Sequence, residues 1–172
     1  MLKRLLVLTA AVLLAVPAVA MAAFQTGDYE LTLNGSGSSD NDFDNNTFDV
    51  QFSLGYFFTE QLEGILRQQL GFVGRDNADD DWNASTAIGA DYNFSLANFS
   101  PFLGATLGYV YGDNVDETWF AAPEGGVKYF VNSTTFVQAL VQYQWFFDEG
   151  DDIEDNFDDG RFVYGLGLGF RW

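Results

Sequence analysis

The sequence predicts an all-β protein, an eight-stranded antiparallel up-and-down transmembrane β-barrel. Three observations carry this. Apolar and polar residues alternate with period two in eight separate stretches, as they do in strands with one apolar face. The connections between these stretches alternate between short ones and mostly longer, far more acidic ones. Aromatic residues gather at both ends of the apolar faces with Leu, Val and Ala between them, matching the two interfaces of a bilayer.

Residues 1–22 stand apart from this pattern. Lys3 and Arg4 precede an apolar run from Leu5 to Val16, and Ala20-Met21-Ala22 offers a small-x-small cleavage site. The segment reads as a cleaved secretory signal peptide, leaving a barrel domain over 23–172. The alternative is an uncleaved anchor helix, for which the apolar run is short. The sequence has no Cys, which excludes lipoprotein processing, disulfides and thiolate metal sites.

After residue 22 the basic residues are Arg67, Arg75, Lys128, Arg161 and Arg171, against all 25 acidic ones, so the formal charge there is near −20. So acidic a chain repels nucleic acid and excludes it as a partner. An aromatic content of 17% argues against disorder as the meaning of that charge. No stretch beyond residue 22 is apolar for about 18 residues, so the chain does not cross a membrane as a helix.

The first strand is expected near 24–35, with Tyr29, Leu31 and Leu33 on the apolar face and Asp28, Glu30, Thr32 and Asn34 opposite. The second, near 47–58, sets Phe48, Val50, Phe52, Leu54, Tyr56 and Phe58 against Asp49, Gln51, Ser53, Gly55 and Phe57. The third, near 62–73, sets Leu66, Leu70 and Phe72 against Glu63, Arg67 and Gln69, although Ile65 and Val73 fall on the polar side. The fourth, near 82–94, alternates from Trp82 to Phe94 against Ser85, Gly89, Asp91 and Asn93. The fifth, near 100–111, and the sixth, near 118–131, follow the same rule, with Glu124 and Lys128 on the polar face of the sixth. Pro123 lies inside the sixth and lacks a ladder donor, which predicts a bulge or weakened pairing. The seventh, near 135–147, sets Val137, Ala139, Val141, Tyr143 and Trp145 against Gln138, Gln142 and Gln144.

The last nine residues close the pattern. Tyr164, Leu166, Leu168, Phe170 and Trp172 share one face, while Gly165, Gly167, Gly169 and Arg171 share the other. An apolar face that runs to a terminal aromatic resembles the small eight-stranded outer-membrane β-barrels, the OmpA/OmpX-like family. The resemblance implies residence in the outer membrane of a Gram-negative bacterium and export through the periplasm. It also implies biogenesis with periplasmic chaperones and the barrel-assembly machinery. Tyr164, Leu168, Phe170 and Trp172 would serve as the assembly signal; most members end in Phe where this chain ends in Trp172. The larger members carry a periplasmic peptidoglycan-binding domain, and none is expected here. A soluble eight-stranded barrel such as a lipocalin buries its apolar face inward, and the Gly-rich, charged polar face disfavours that alternative.

The polar faces carry the candidate site. The inward acids are Asp28, Glu30, Asp49, Glu63, Asp91 and Glu124, and the inward bases are Arg67, Lys128 and Arg171. Counting along the strands places Glu30, Arg67, Glu124 and Lys128 near mid-height, where they should form a lumen charge network. The other acids are expected nearer the ends, within reach of water. A buried charge without a partner is costly, so each base should meet a carboxylate.

The sequence contains no His, which disfavours the acyl-transfer and hydrolytic sites that need an imidazole. Known outer-membrane barrel enzymes use His in their sites, so an enzyme is not expected. No cofactor is expected either. The four mostly longer connections hold three, four, three and eight acidic residues, 18 of the 25. Asp40, Asp42 and Asp44 have the spacing that opens a calcium loop. Asn45 and Gln51 stand where such a loop has Gly and Glu, so the match fails and only loose binding of divalent cations is expected. Two functions remain open: a structural or surface-interaction protein that presents acidic loops from lipid, or a porin-like narrow pore for small solutes or cations. Eight strands leave an interior that side chains can fill, which favours the first.

Overall fold

The computed structural model describes residues 24–39, 45–75, 81–112, 117–147 and 161–172. They form eight strands: β1 (Tyr29–Ser39), β2 (Asn45–Phe57), β3 (Leu62–Arg75), β4 (Asp81–Asn93), β5 (Phe99–Gly112), β6 (Thr118–Phe130), β7 (Thr135–Phe147) and β8 (Arg161–Arg171). Each strand pairs antiparallel with its sequence neighbours. The sheet closes where Glu30–Gly35 of β1 meets Leu166–Arg171 of β8. Closure leaves no sheet edge, the condition for strands to stand in hydrocarbon.

The alternation sorts the two faces as the sequence predicts. Leu31, Leu33, Phe52, Leu54, Ile88, Leu107, Val141, Leu166 and Leu168 are exposed on the outside. Glu30, Thr32, Asn34, Gln51, Ser53, Arg67, Lys128, Gln138 and Gln142 are buried inside. This is the inverse of a water-soluble barrel: the wall is apolar and the centre is charged. The structure is a transmembrane β-barrel.

Tight turns join the strands at one end. Between β2 and β3 the Thr59 hydroxyl accepts the amides of Gln61 (3.2 Å) and Leu62 (2.9 Å). Between β6 and β7 the Asn132 side-chain oxygen accepts the amides of Thr134 (2.9 Å) and Thr135 (2.8 Å), an Asx turn. Between β4 and β5 Ala97 takes a positive φ of 51°, and Leu96 and Phe99 exchange backbone hydrogen bonds of 2.8 Å around it. At this turn end an aromatic belt faces outward, with Tyr29–Tyr56 centroids 5.0 Å apart and Phe99–Tyr129 also 5.0 Å. At the opposite, loop end, Tyr109–Trp119 (5.2 Å) and Tyr143–Phe162 (4.7 Å) form the second belt.

One expectation needs correction, the start of the first strand. β1 begins at Tyr29 and not near residue 24; Gln25 to Asp28 turn across the end of the barrel, and Phe24 folds inward. At Pro123 the expected weakened pairing is present, without a bulge: the β5–β6 ladder runs through it, while on the other side the β6–β7 pairing omits Ala122 and Pro123 and resumes in the same register at Glu124↔Gln142. Ile65 lies on the polar side of β3 as its parity predicts, buried in the lumen beside Glu63 and Arg67.

Candidate functional site

Six charged side chains meet inside the lumen, Arg67 and Glu124 at mid-height and Glu30, Glu63 and Lys128 nearer the turn end. Arg67 of β3 reaches across to Glu124 of β6 with both prongs of its guanidinium, Nη1–Oε2 at 2.6 Å and Nη2–Oε1 at 3.2 Å. Its Nε–H donates to the Ser53 hydroxyl on β2 at 3.2 Å, which fixes the plane of the fork. The Gln142 amide on β7 also donates to Glu124. Lys128, 1% exposed, donates to Glu30 of β1 at 2.7 Å and to Glu63 of β3 at 2.9 Å. Thr32 and Asn93 donate to the same two carboxylates. Asp91, 2% exposed, stands beside the network with Oδ1 unpartnered, and a cavity of ≈ 10 Å³ lies among Glu30, Glu63, Asp91 and Arg67. That is room for about one water.

The strand faces explain who can meet whom. Residues two apart point the same way, so Glu63, Ile65 and Arg67 of β3 all look inward, as do Glu124, Gly126 and Lys128 of β6. Glycine clears the approach: a Cβ on Gly55 would collide with Glu63, and one on Gly104 with Asp91. Glu30, Arg67, Glu124 and Lys128 therefore come together as two linked clusters. The bonds run between strands: Arg67 takes Glu124, and Lys128 takes Glu30. Glu63, expected nearer the end and in reach of water, is instead buried as the second partner of Lys128. Asp91 is likewise buried and not solvated.

Below the network, at the turn end, four aromatic rings close the lumen. Phe24, Phe57, Phe130 and Phe136 form one buried cluster. Phe24 stacks on Phe57 with centroids 4.0 Å apart and meets Phe130 edge-on at 5.5 Å. The Lys128 ammonium lies 5.1 to 5.6 Å from the ring centres of Phe24, Phe57, Phe102 and Phe136. The Arg171 guanidinium lies 5.4 Å from Phe24 and 5.2 Å from Phe130, so the two cations bracket the rings. A short latch holds Phe24 in place: Gly27 N donates to Phe57 O at 2.9 Å, Gln25 N to Asp28 Oδ2 at 2.9 Å, and Asp28 pairs with Arg171 at 3.6 Å. Sequence reasoning missed this stopper. Phe57 on a polar face was the available signal.

Above the network one side of the lumen wall carries amides, and the other carries the apolar cluster of Ala87, Phe120 and Ala122. Asn34, Gln51, Gln69 and Gln142, with Asp49, line a cavity of ≈ 20 Å³ that Leu140, Val163 and Gly165 complete. Of the other sequence-predicted residues, Tyr164, Leu168, Phe170 and Trp172 all face outward, exposed, on β8 and at its end. Trp172 stacks near Tyr29 at 5.9 Å and exchanges backbone hydrogen bonds with it. Asp40, Asp42 and Asp44 lie outside the described residues.

Comparison with solved structures gives the same architecture. The N-terminal β-barrel domain of OprF from Pseudomonas aeruginosa aligns with a TM-score of 0.60 at 20% identity, over 86% of this chain and 98% of that one. OprG of the same organism aligns at 0.58 and 13% identity, over 87% and 97%. Neisserial surface protein A aligns at 0.54 and 17% identity, over 84% and 94%. The chain has the fold of these small outer-membrane barrels. No protein-family model matches it, and no curated protein does.

Proposed function

We propose that this protein resides in the outer membrane of a Gram-negative bacterium as a closed barrel, a rigid mount that presents its acidic loops at the cell surface. The observation that carries this reading is the filled lumen. Arg67–Glu124 crosses it at mid-height, Lys128–Glu30–Glu63 crosses it nearer the turn end than the sequence placed Glu30 and Lys128, and the Phe24 cluster seals that end beneath them. A hydrated ion does not fit through a cavity of ≈ 10 Å³. The apolar outer wall and its two aromatic belts support placement in lipid, with the turn end toward the periplasm. The barrel-assembly machinery and periplasmic chaperones are its partners during biogenesis. It is not an enzyme on this reading, because the chain lacks His for the chemistry of barrel hydrolases.

One observation favours a second reading, a narrow pore. The mid-height block is made of ionic contacts with an amide-lined cavity on one side above it, so exchange of partners would loosen the charged part of the plug. Conductance of the pure protein in a planar bilayer separates the two, with and without calcium. The closed-barrel reading expects no stable conductance; a large, steady one overturns it. The loops bind divalent cations loosely on this proposal. Calcium binding should therefore weaken as monovalent salt rises, since exposed charges are screened over about 8–10 Å.

A further inference from the structure

Asp91 is the acid that the bases of the lumen leave out. Glu30, Glu63, Asp91 and Glu124 are buried there with only Arg67 and Lys128 to balance them. Arg67 pairs with Glu124, and Lys128 pairs with Glu30 and Glu63. The neighbour of Asp91 is instead another acid. Gly104 of β5 stands between Asp91 of β4 and Glu124 of β6, in register with both. A Cβ on Gly104 would collide with Asp91, so the bare glycine is what lets Asp91 lean across toward Glu124. The two carboxyl groups come within hydrogen-bonding reach of each other. Ionised carboxylates only accept, so this contact needs a proton on one of them. Glu124 already accepts from both prongs of Arg67 and from Gln142, which suits the charged form. No donor reaches Asp91 Oδ1, which is buried and unpartnered. A charged oxygen left bare there costs far more than the carbonyl oxygen of a neutral acid.

We propose that the lumen is a proton-binding site, in which Asp91 holds a proton at neutral pH and donates it to Glu124. Two carboxyl groups that share a dry site cannot both ionise cheaply, and the proton belongs to the pair. The charged groups that face Asp91 are Glu63 and Arg67 of β3 and Glu124 and Lys128 of β6, with Glu30 of β1 on the same ≈ 10 Å³ cavity. With Asp91 ionised, these buried groups carry two unbalanced negative charges; the proton leaves one. Loss of the proton sets Asp91 against Glu124 and makes both of them partners for Arg67. The mid-height block is therefore closed by a proton as well as by an ion pair, and it loosens as pH rises.

The test uses the whole protein in detergent, with an isotopic label in the aspartate side-chain carboxyls alone. Ordinary aspartates are ionised at neutral pH. The infrared spectrum should nonetheless show one band of a protonated carboxylic acid that the label shifts. The band should vanish in Asp91→Asn. It should vanish also in Asp91→Glu, which keeps an acid there but removes the labelled aspartate, and this variant decides should the first not fold. Asp91→Asn keeps an N–H donor for Glu124 and has no proton to lose. Its urea midpoint should exceed that of the unaltered protein in alkaline solution. Absence of a labelled acid band at neutral pH overturns the proposal, and an ionised Asp91 balanced by a bound sodium ion would give that result. A band that survives the substitutions puts the proton on another aspartate and overturns it equally. So does an alkaline loss of stability as steep in Asp91→Asn as in the unaltered protein.

Discussion

Arg67 and Glu124 meet fork to fork across the lumen, with Ser53 bracing the guanidinium and Gln142 bracing the carboxylate. A pair that bidentate and that dry is costly to break from one side, because the survivor is left charged and unpaired. Arg67→Ala should destabilise the barrel by about 3–5 kcal/mol in reversible urea unfolding. Arg67→Ala combined with Glu124→Gln removes both charges and should recover much of the loss. If the double substitution is as unstable as the sum of the singles, the two residues are not coupled. Any conductance that Arg67→Ala acquires should favour cations, since the carboxylates are left behind.

Phe24 gives a second test. It is 2% exposed and stacked on Phe57, although it precedes β1 and belongs to no strand. Phe24→Ala should cost about 3–5 kcal/mol, the range for a buried aromatic. Phe24→Leu should cost less. The substitution should also admit water to Lys128, read as faster labelling by a small amine reagent added from the turn side. Equal labelling of the unaltered protein and Phe24→Ala would show that the rings do not seal that end.

The outer wall gives a third. Leu31, Phe52, Leu107 and Leu168 face lipid, and Arg in place of any of them near mid-depth should cost about 2–4 kcal/mol in a reversible unfolding assay. Ser53→Ala, on the lumen side, removes one hydrogen bond and should cost about 0.5–1.5 kcal/mol. Equal costs for the two classes would contradict the inside-out sorting of the wall.

The fourth concerns the end of β8. Removing Phe170 to Trp172 deletes the Leu31↔Phe170 and Glu30↔Arg171 pairs and the Tyr29–Trp172 hydrogen bonds. Backbone groups of β1 would then face lipid unsatisfied. The truncated chain should fail to insert and should accumulate in the periplasmic fraction. Normal recovery of the truncated chain in the membrane fraction would count against the role of this strand.

The strands and their faces were legible because period two is a local property: Leu31, Leu33, Ser53 and Arg67 announce their side by parity alone. Parity also put Glu30, Arg67, Glu124 and Lys128 in one lumen. It did not say which base takes which acid, because that depends on the stagger of the closed sheet, a property of all eight registers together. Glu63 shows the limit. It stands near the start of β3, at the turn end, and Lys128 lies near that same end of β6 and not at mid-height, so the two meet. Phe24 was illegible for another reason. A residue outside a strand has no parity, and only the latch from Gln25 to Asp28 turns it inward.

The join between β1 and β8 spans only Tyr29–Gly35, while the β1–β2 ladder runs from Tyr29 to Ser39. Opposite it, β8 presents Gly167 and Gly169 to the interior, where Asn34 of β1 lies over the first and the Phe136 ring of β7 over the second. From Gly165 to Gly169, β8 therefore brings no lumen side chain of its own to this join. The charged centre and the aromatic rings can be arranged on the other strands first, and β8 laid down afterwards. The same shortness sets the order of undoing. The amides of this join are the ones that should exchange hydrogen earliest within the sheet, so the barrel has a built-in direction of assembly and a weakest line along its height.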